Sequence, residues 1–359
     1  MCRREHLPSK PNLMYRRDFL FKTGLVAAST AALSTGMAHA AIPKDKKISL
    51  DGTIPTRKFG KTGHTLPVFG HGGSAMIEEF RKDLSVTLPS IEERIAMVRH
   101  GYDQGIRYFD TARTYDESET IMGEALKDVR DDLYLATKVA APSPAGVRKS
   151  VETSLTELQT SYVDCVQIHS PIIQRVGFEQ AMKIHAELVK LRDEGLFRFI
   201  GLTGHGGFDT TYKMISTGGF DQVMLAYGYF RMGYKSILTN TSVQWREMCL
   251  CKAHELGMGI VAMKVMGGAI FSHNSKNLVP TFGAEALKRL PGAAIRWVLK
   301  DERICMLNIG ISMPIDIGMN VETFKADTTL TDSDRLLLAD YCSKAYENPL
   351  VKKLPVTAT

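Results

Sequence analysis

The sequence predicts an α/β chain that closes a (β/α)8, or TIM, barrel preceded by an N-terminal β-hairpin. Three observations carry this expectation. Short apolar runs alternate with stretches of helical periodicity between residues 66 and 311, a pattern that favours parallel strands covered by helices. The runs number eight. Chemically reactive side chains recur at their C-terminal ends, where the loops of such a barrel collect its site. An open doubly wound sheet is the rival. It would carry a Gly-rich phosphate turn after its first strand, and Gly70-His71-Gly72-Gly73 lacks both that spacing and the helix start that follows it.

The first 40 of the 359 residues read as an export signal that is removed, not as part of the fold. Arg16-Arg17-Asp18-Phe19-Leu20 precedes an Ala-rich apolar stretch from Gly24 to Ala38, ending in the small-x-small site Ala38-His39-Ala40. Paired arginines before Phe-Leu favour the twin-arginine route and its export machinery, which handles folded cargo, so a periplasmic or otherwise exported location is expected. Met14 is an alternative start. The apolar stretch is short and interrupted by Ser and Thr, so no stable membrane anchor is expected. Residues 1–40 hold six Lys/Arg against two Asp/Glu, and without them the formal charge falls from +6 to +2. The basic balance is then mostly signal, and nothing argues for nucleic acid as a partner. The five cysteines beyond residue 40 are odd in number and show no framework spacing, which argues against a disulfide scaffold.

Residues 41–55 are polar and read as a tether; residues 56–359 read as the barrel with a C-terminal helix. The turn Lys61–His64 between two short strands predicts a hairpin. The barrel strands are expected at Leu66–Phe69, Ile106–Asp110, Leu133–Lys138, Val163–His169, Phe197–Thr203, Val223–Tyr227, Gly259–Val265 and Cys305–Ile311. Between them, helical patterns fall at Ile91–Gln104, Glu119–Lys127, Pro144–Gln159, Glu179–Glu194, near Thr211, at Val243–Leu256 and at Ala293–Lys300. In Pro144–Gln159, for example, Val147, Val151, Leu155 and Leu158 line one face. A last amphipathic helix is expected at Arg335–Ala345.

Four residues stand at or just beyond strand ends: Asp110, Tyr115, Lys138 and His169. A phenol is a poor acid at neutral pH, with an unperturbed pKa near ~10. A nearby ammonium favours its phenolate, and a carboxylate paired to that ammonium keeps it charged and oriented. An imidazole within hydrogen-bonding reach can position a carbonyl oxygen. Reducing a carbonyl by hydride needs this set, because the oxygen gains a proton as the carbon gains hydride. Each residue alone has a plain structural explanation, such as helix capping or a solvated strand end; the four together do not.

The sequence resembles the aldo/keto reductase family over roughly Arg57 to Asn320. The most specific segment runs from Gly105 to Leu126, G-I-R-Y-F-D-T-A-R-T-Y-D-E-S-E-T-I-M-G-E-A-L, and A-T-K at Ala136–Lys138, Q-I-H at Gln167–His169 and R-F-I-G-L-T at Arg198–Thr203 follow in order. The resemblance implies an NADP- or NAD-dependent oxidoreductase acting on a small-molecule carbonyl or alcohol. Tyr115 would be the general acid, polarised by Lys138, itself paired with Asp110, with His169 orienting the carbonyl. Met263-Lys264-Val265-Met266-Gly267-Gly268 is similar to the M-K-P-M-G-G branch, whose members often add a cysteine cluster near the C-terminus; only Cys342 lies there, so no iron–sulfur cluster is expected.

The resemblance is weaker on the cofactor side. Thr203-Gly204 stand where the family has Ser-Asn, Met224 where it has Gln, and Met263 where it has a stacking Tyr. Gly310, Ser312 and Asn320 match the segment that clamps the adenosine half, and Lys264 is a candidate contact for the diphosphate. Asp316 stands where an arginine often grips the 2′-phosphate, and a carboxylate there would repel it. An exported reductase would also need a cofactor held tightly and loaded before transport. The competing reading is an exported barrel that has lost nicotinamide and uses the four residues as a lyase or isomerase on a carbohydrate-like substrate. His71, His169 and His205 each follow an expected strand, which raises a metal site only faintly; no metal is expected.

Overall fold

The computed structural model describes residues 42–43, 46–78 and 87–357. The expected export signal lies outside these residues, as does part of the expected tether. The hairpin comes first: β1 (Thr56–Lys58) pairs antiparallel with β2 (Thr65–Pro67). The barrel begins with β3 (Phe69–Gly72), β4 (Tyr108–Asp110), β5 (Tyr134–Val139), β6 (Val163–Ile168), β7 (Phe197–Gly204) and β8 (Gln222–Ala226). After β9 (Ile237–Leu238) steps outside it, β10 (Gly259–Met263) and β11 (Met306–Gly310) complete it. Eight parallel strands close into one barrel, with β11 beside β3.

Around it run α1 (Ile91–Asp103), α2 (Ser118–Leu126), α3 (Val147–Glu157), α4 (Ser170–Asp193), α5 (Phe208–Ser216) and α6 (Asn240–Glu255). They are followed by α7 (Ser275–Leu278), α8 (Ala284–Leu299), α9 (Pro314–Lys325), α10 (Asp332–Glu347) and α11 (Pro349–Lys352). The last strand, β12 (Val356–Thr357), pairs with β9. Local chemistry sets several boundaries. Ser90 and Glu93 form a capping box that starts α1, and Thr331 and Asp334 do the same for α10. Among the described residues no helix is long and apolar enough to cross a membrane.

Four elements differ from the sequence expectation. The first barrel strand is Phe69–Gly72, not Leu66–Phe69, whose first residues belong to the hairpin. The F-G-H-G run resembles a turn, yet Gly70 is needed because a Cβ there would lie 2.7 Å from the Tyr108 ring. Helix α4 starts at Ser170, with Pro171 in its first turn and a break at Gly177 (φ 75°), rather than at Glu179. Helix α8 begins at Ala284 and runs through Pro291, and α9 occupies a segment expected only as a clamp.

The N-terminal end of the barrel is sealed. Phe59, from the hairpin, meets Tyr108 and Tyr134 edge-on at 5.8 and 5.3 Å. Burying such a ring is worth roughly 1.5–3 kcal/mol. A Cβ at Gly259 would stand 2.9 Å from that ring, so β10 starts with glycine. Within the segment read as a tether, Lys46, Ile48 and Ile54 pack against the barrel. Lys46 Nζ lies 3.0 Å from Asp164, both side chains are sealed from solvent, and Arg130 reaches the same carboxylate at 2.8 Å. With the floor closed, the C-terminal strand ends are left for the site.

Candidate active site

Asp110 is the last residue of β4, and the chain beyond it stays bonded to β5: Thr111 N donates to Ala136 O, and Arg113 N donates to Lys138 O. The loop then turns tightly, with Tyr115 N donating to Ala112 O and Ser118 N to Tyr115 O. This carries the Tyr115 ring over Lys138, whose Nζ lies 4.8 Å from the ring centroid. Lys138 Nζ donates to Asp110 Oδ1 at 2.5 Å and to Thr111 O at 2.7 Å. His169 follows β6 and precedes the first turn of α4, its carbonyl accepting from Ile172 and Ile173. Its ring stands edge-on to Tyr115 at 5.7 Å, and Nδ1 is 3.4 Å from Thr114 Oγ1. The four residues read from separate segments of sequence thus meet in one place, all buried.

Their environment sets their protonation. Burial pushes the Asp110 carboxyl up, but Lys138, Gln167 and Asn308 all act the other way. Lys138 is held above the ordinary lysine value: burial opposes the charge, and Asp110 and Tyr115 outweigh it. The pair is therefore ionic at neutral pH. Burial raises the Tyr115 phenol despite Lys138, so it keeps its proton. His169 is pushed down to about 3 by burial and then by Lys138, so its imidazole is neutral.

Sequence reasoning missed the amides beneath this set. Gln167 Nε2 donates to Asp110 Oδ2 at 2.8 Å, and Asn308 Nδ2 to Oδ1 at 3.2 Å. Gln167 Oε1 accepts from Gln222 Nε2 at 3.1 Å, while Tyr134 OH donates to Gln222 Oε1 at 3.1 Å. This buried ladder fixes which way each amide points and aims a donor at Asp110. Its signal was present: Gln167 is a lone amide in an apolar strand, two residues from His169 and so on the same face.

A cavity of about 900 Å3 opens above, with Asp110, Tyr115 and His205 in its wall. Of the residues expected to hold a cofactor, Met224, Met263, Lys264, Gly310, Ser312 and Asn320 line it. Thr203 and Gly204 do not. Thr203 Oγ1 accepts from Ser170 N at 2.8 Å, and a Cβ at Gly204 would point into the helix layer, 3.1 Å from Leu225. Lys264 adopts a left-handed backbone (φ 63°), and burial with Lys235 nearby lowers its ammonium to about 8. Across the cavity, Asp316 accepts from Ser312 N (3.2 Å) and Met313 N (3.0 Å) at the start of α9 and pairs with His273 at 3.1 Å. Burial opposes its charge, but His273 and those backbone groups hold it below the usual carboxylate range.

The three histidines do not converge. His71 faces outward from β3, with its Nδ1 3.9 Å from where a Cβ on Gly101 of α1 would lie, and is absent from the cavity wall. Among the described residues no group of three or more His, Cys, Asp or Glu side chains is placed to hold a metal ion.

Comparison with known proteins gives the family and the fold. Residues 85–334 match the model of the aldo/keto reductase family. The chain is similar to an L-galactose dehydrogenase of Arabidopsis thaliana, 27% identical, over 75% of this chain and 87% of that one. It is also similar to the methylglyoxal reductase DkgA of Yersinia pestis, 36% identical over 33% of this chain and 43% of that one. Among solved structures it is similar to the holo form of aldo-keto reductase AKR11C1 from Bacillus halodurans, with a TM-score of 0.61 and 20% identity, covering 80% and 96% of the two chains.

Proposed function

The chain belongs to the aldo/keto reductase family, and we propose that it interconverts a small-molecule carbonyl and its alcohol with Tyr115 as general acid and base. The observation that carries this reading is the buried Asp110–Lys138–Tyr115 arrangement at the base of a large cavity. In reduction, the substrate oxygen lies between the Tyr115 hydroxyl and His169. The neutral imidazole orients the oxygen without competing as a strong acid, and its Nδ1 is already engaged near Thr114. Tyr115 gives its proton to that oxygen as negative charge develops there. Lys138 stabilises the phenolate left behind, and Asp110 keeps Lys138 charged and aimed. In oxidation the phenolate takes the proton back. The names of the two relatives, an L-galactose dehydrogenase and a methylglyoxal reductase, support a carbonyl or its alcohol as substrate.

The cavity fits a nicotinamide dinucleotide, which when bound would supply or accept the hydride. Lys264 is the observation that tests the fit: it lines the cavity, and among the described residues no carboxylate forms an ion pair with it, so its ammonium can take an anionic diphosphate. Gly310, Ser312 and Asn320 would hold the adenosine half, with Met224 and Met263 against the ring. Asp316 disfavours a 2′-phosphate, so NAD is the better match than NADP. The twin-arginine pattern at Arg16-Arg17 supports export of the folded chain with its cofactor bound and recycled by a second carbonyl–alcohol pair. Purifying the full chain, releasing its small molecules and titrating NAD and NADP tests this reading. Saturable binding, tighter for NAD, is expected; no binding of either rejects hydride transfer.

A further inference from the structure

One carboxylate in the helix layer has no part in the mechanism above. Glu119 stands in the first turn of α2 and is wholly buried. An acid in that position eases the start of a helix, but an exposed one does so equally well, so the helix does not account for the burial. Burial raises the Glu119 carboxyl, and it is tolerated because the group is paired. Oε1 accepts from Thr137 Oγ1 at 2.6 Å. Oε2 forms an ion pair with the Arg113 guanidinium, which also reaches Glu157 of α3 at 3.0 Å.

The two partners of Glu119 flank the proton-transfer pair. Thr137 precedes Lys138 on β5, and alternate side chains leave a strand on opposite faces, so the strand that aims Lys138 at Asp110 aims Thr137 at the helix layer. Arg113 lies two residues before Tyr115, and its N–H donates to Lys138 O at 3.2 Å. Glu119 thus ties the outer face of β5 to the loop that lays the Tyr115 ring over Lys138. That loop needs holding. Asp116, next to Tyr115, takes a left-handed backbone (φ 37°) that favours glycine. A second tie reaches the same loop from α1, where buried Arg94 pairs with Glu117 at 2.5 Å. Glu119, Arg113 and Thr137 all lie outside the cavity wall, so none of them touches what the cavity holds.

We propose that Glu119 is a positioning residue, which grips Thr137 and Arg113 together and so holds the Tyr115 phenol at the separation from Lys138 that proton transfer needs. This rests on the general-acid reading above. The test follows glyceraldehyde reduction by the full-length protein with saturating reduced nicotinamide cofactor, and reads kcat against aldehyde KM and cofactor Kd. Glu119→Leu lowers kcat about 10- to 100-fold, the scale of a small misplacement of a reacting group, while KM and Kd change little. Glu119→Gln, which keeps an acceptor for the Thr137 hydroxyl, recovers part of the loss. Thr137→Val has the same shape without the hydroxyl; it lowers kcat in the same way and guards against a misfolded Glu119 variant. Unchanged kcat in both Glu119→Leu and Thr137→Val overturns the brace, as does a loss of cofactor affinity as large as the loss of kcat. Turnover by Tyr115→Phe at the native rate rejects the general-acid reading instead. The brace is then judged by hydrogen exchange at the Arg113 and Tyr115 amides: faster exchange in Thr137→Val supports it, and equal exchange overturns it.

Discussion

Replacing His71 with leucine is expected to stabilise the protein, and to do so more in acid than at neutral pH. His71 is fully buried on β3, edge-on to Phe109 at 5.8 Å, and among the described residues neither ring nitrogen has a hydrogen-bond partner. A neutral imidazole carries one N–H, so at least one buried donor goes unmet at a cost of about 1–3 kcal/mol. Leucine removes that donor and suits the apolar layer between β3 and α1. Burial also holds the imidazole at about 3, whereas histidine in the unfolded chain titrates near about 6.5. Between those values the unfolded state binds a proton that the folded state refuses. Stability therefore falls as pH falls, by about 1.4 kcal/mol per pH unit for this residue. At about pH 5 that amounts to roughly 2 kcal/mol, which His71→Leu does not lose. His169 and His205 are present in both proteins and cancel. Urea unfolding should thus show a gain of about 1–3 kcal/mol at about pH 7.5 and about 3–5 kcal/mol at about pH 5. Destabilisation at both values, or a gain independent of pH, would refute the reasoning.

Three further outcomes follow from the site. Gln167→Leu removes one of the donors that hold the Asp110 carboxylate; a hydrogen bond to a charged group is worth about 1.5–3 kcal/mol, so kcat should fall about 10- to 100-fold with cofactor affinity little changed, as steady-state kinetics and a binding titration would show. Lys138→Met should lower kcat by about 100- to 10,000-fold and, by leaving Asp110 buried and unpaired, cost about 3–5 kcal/mol in urea unfolding. Lys264, lowered to about 8, carries its charge below that value and loses it above. Cofactor affinity should therefore weaken as pH rises through about 8, and Lys264→Gln should flatten that dependence in a fluorescence titration.

The barrel was legible because its strands are short apolar runs with reactive residues at their ends, and Asp110, Tyr115, Lys138 and His169 declare themselves by that position. The first strand was less so. Phe69–Gly72 carries two glycines, Gly70 under the Tyr108 ring and Gly72 against Asn308 and Ile309, and glycine reads as a turn. Helix α9 was hidden by Pro314 at its start and Gly318 in its middle. The cofactor contacts at Thr203 and Gly204 depend on which way side chains leave β7, and Ser170 claims the Thr203 hydroxyl. Gln167 and His205 needed three dimensions: only there does an amide meet Asp110, and only there is an imidazole left unpaired in the cavity wall.

The central claim is that Tyr115 delivers the proton while hydride is transferred, and one comparison tests it directly. Reduction of glyceraldehyde is followed through consumption of the reduced nicotinamide cofactor by the native protein and by Tyr115→Phe. The variant should retain cofactor affinity while kcat falls by about 100- to 10,000-fold, the usual span for losing a general acid. Turnover by Tyr115→Phe close to that of the native protein would contradict the account.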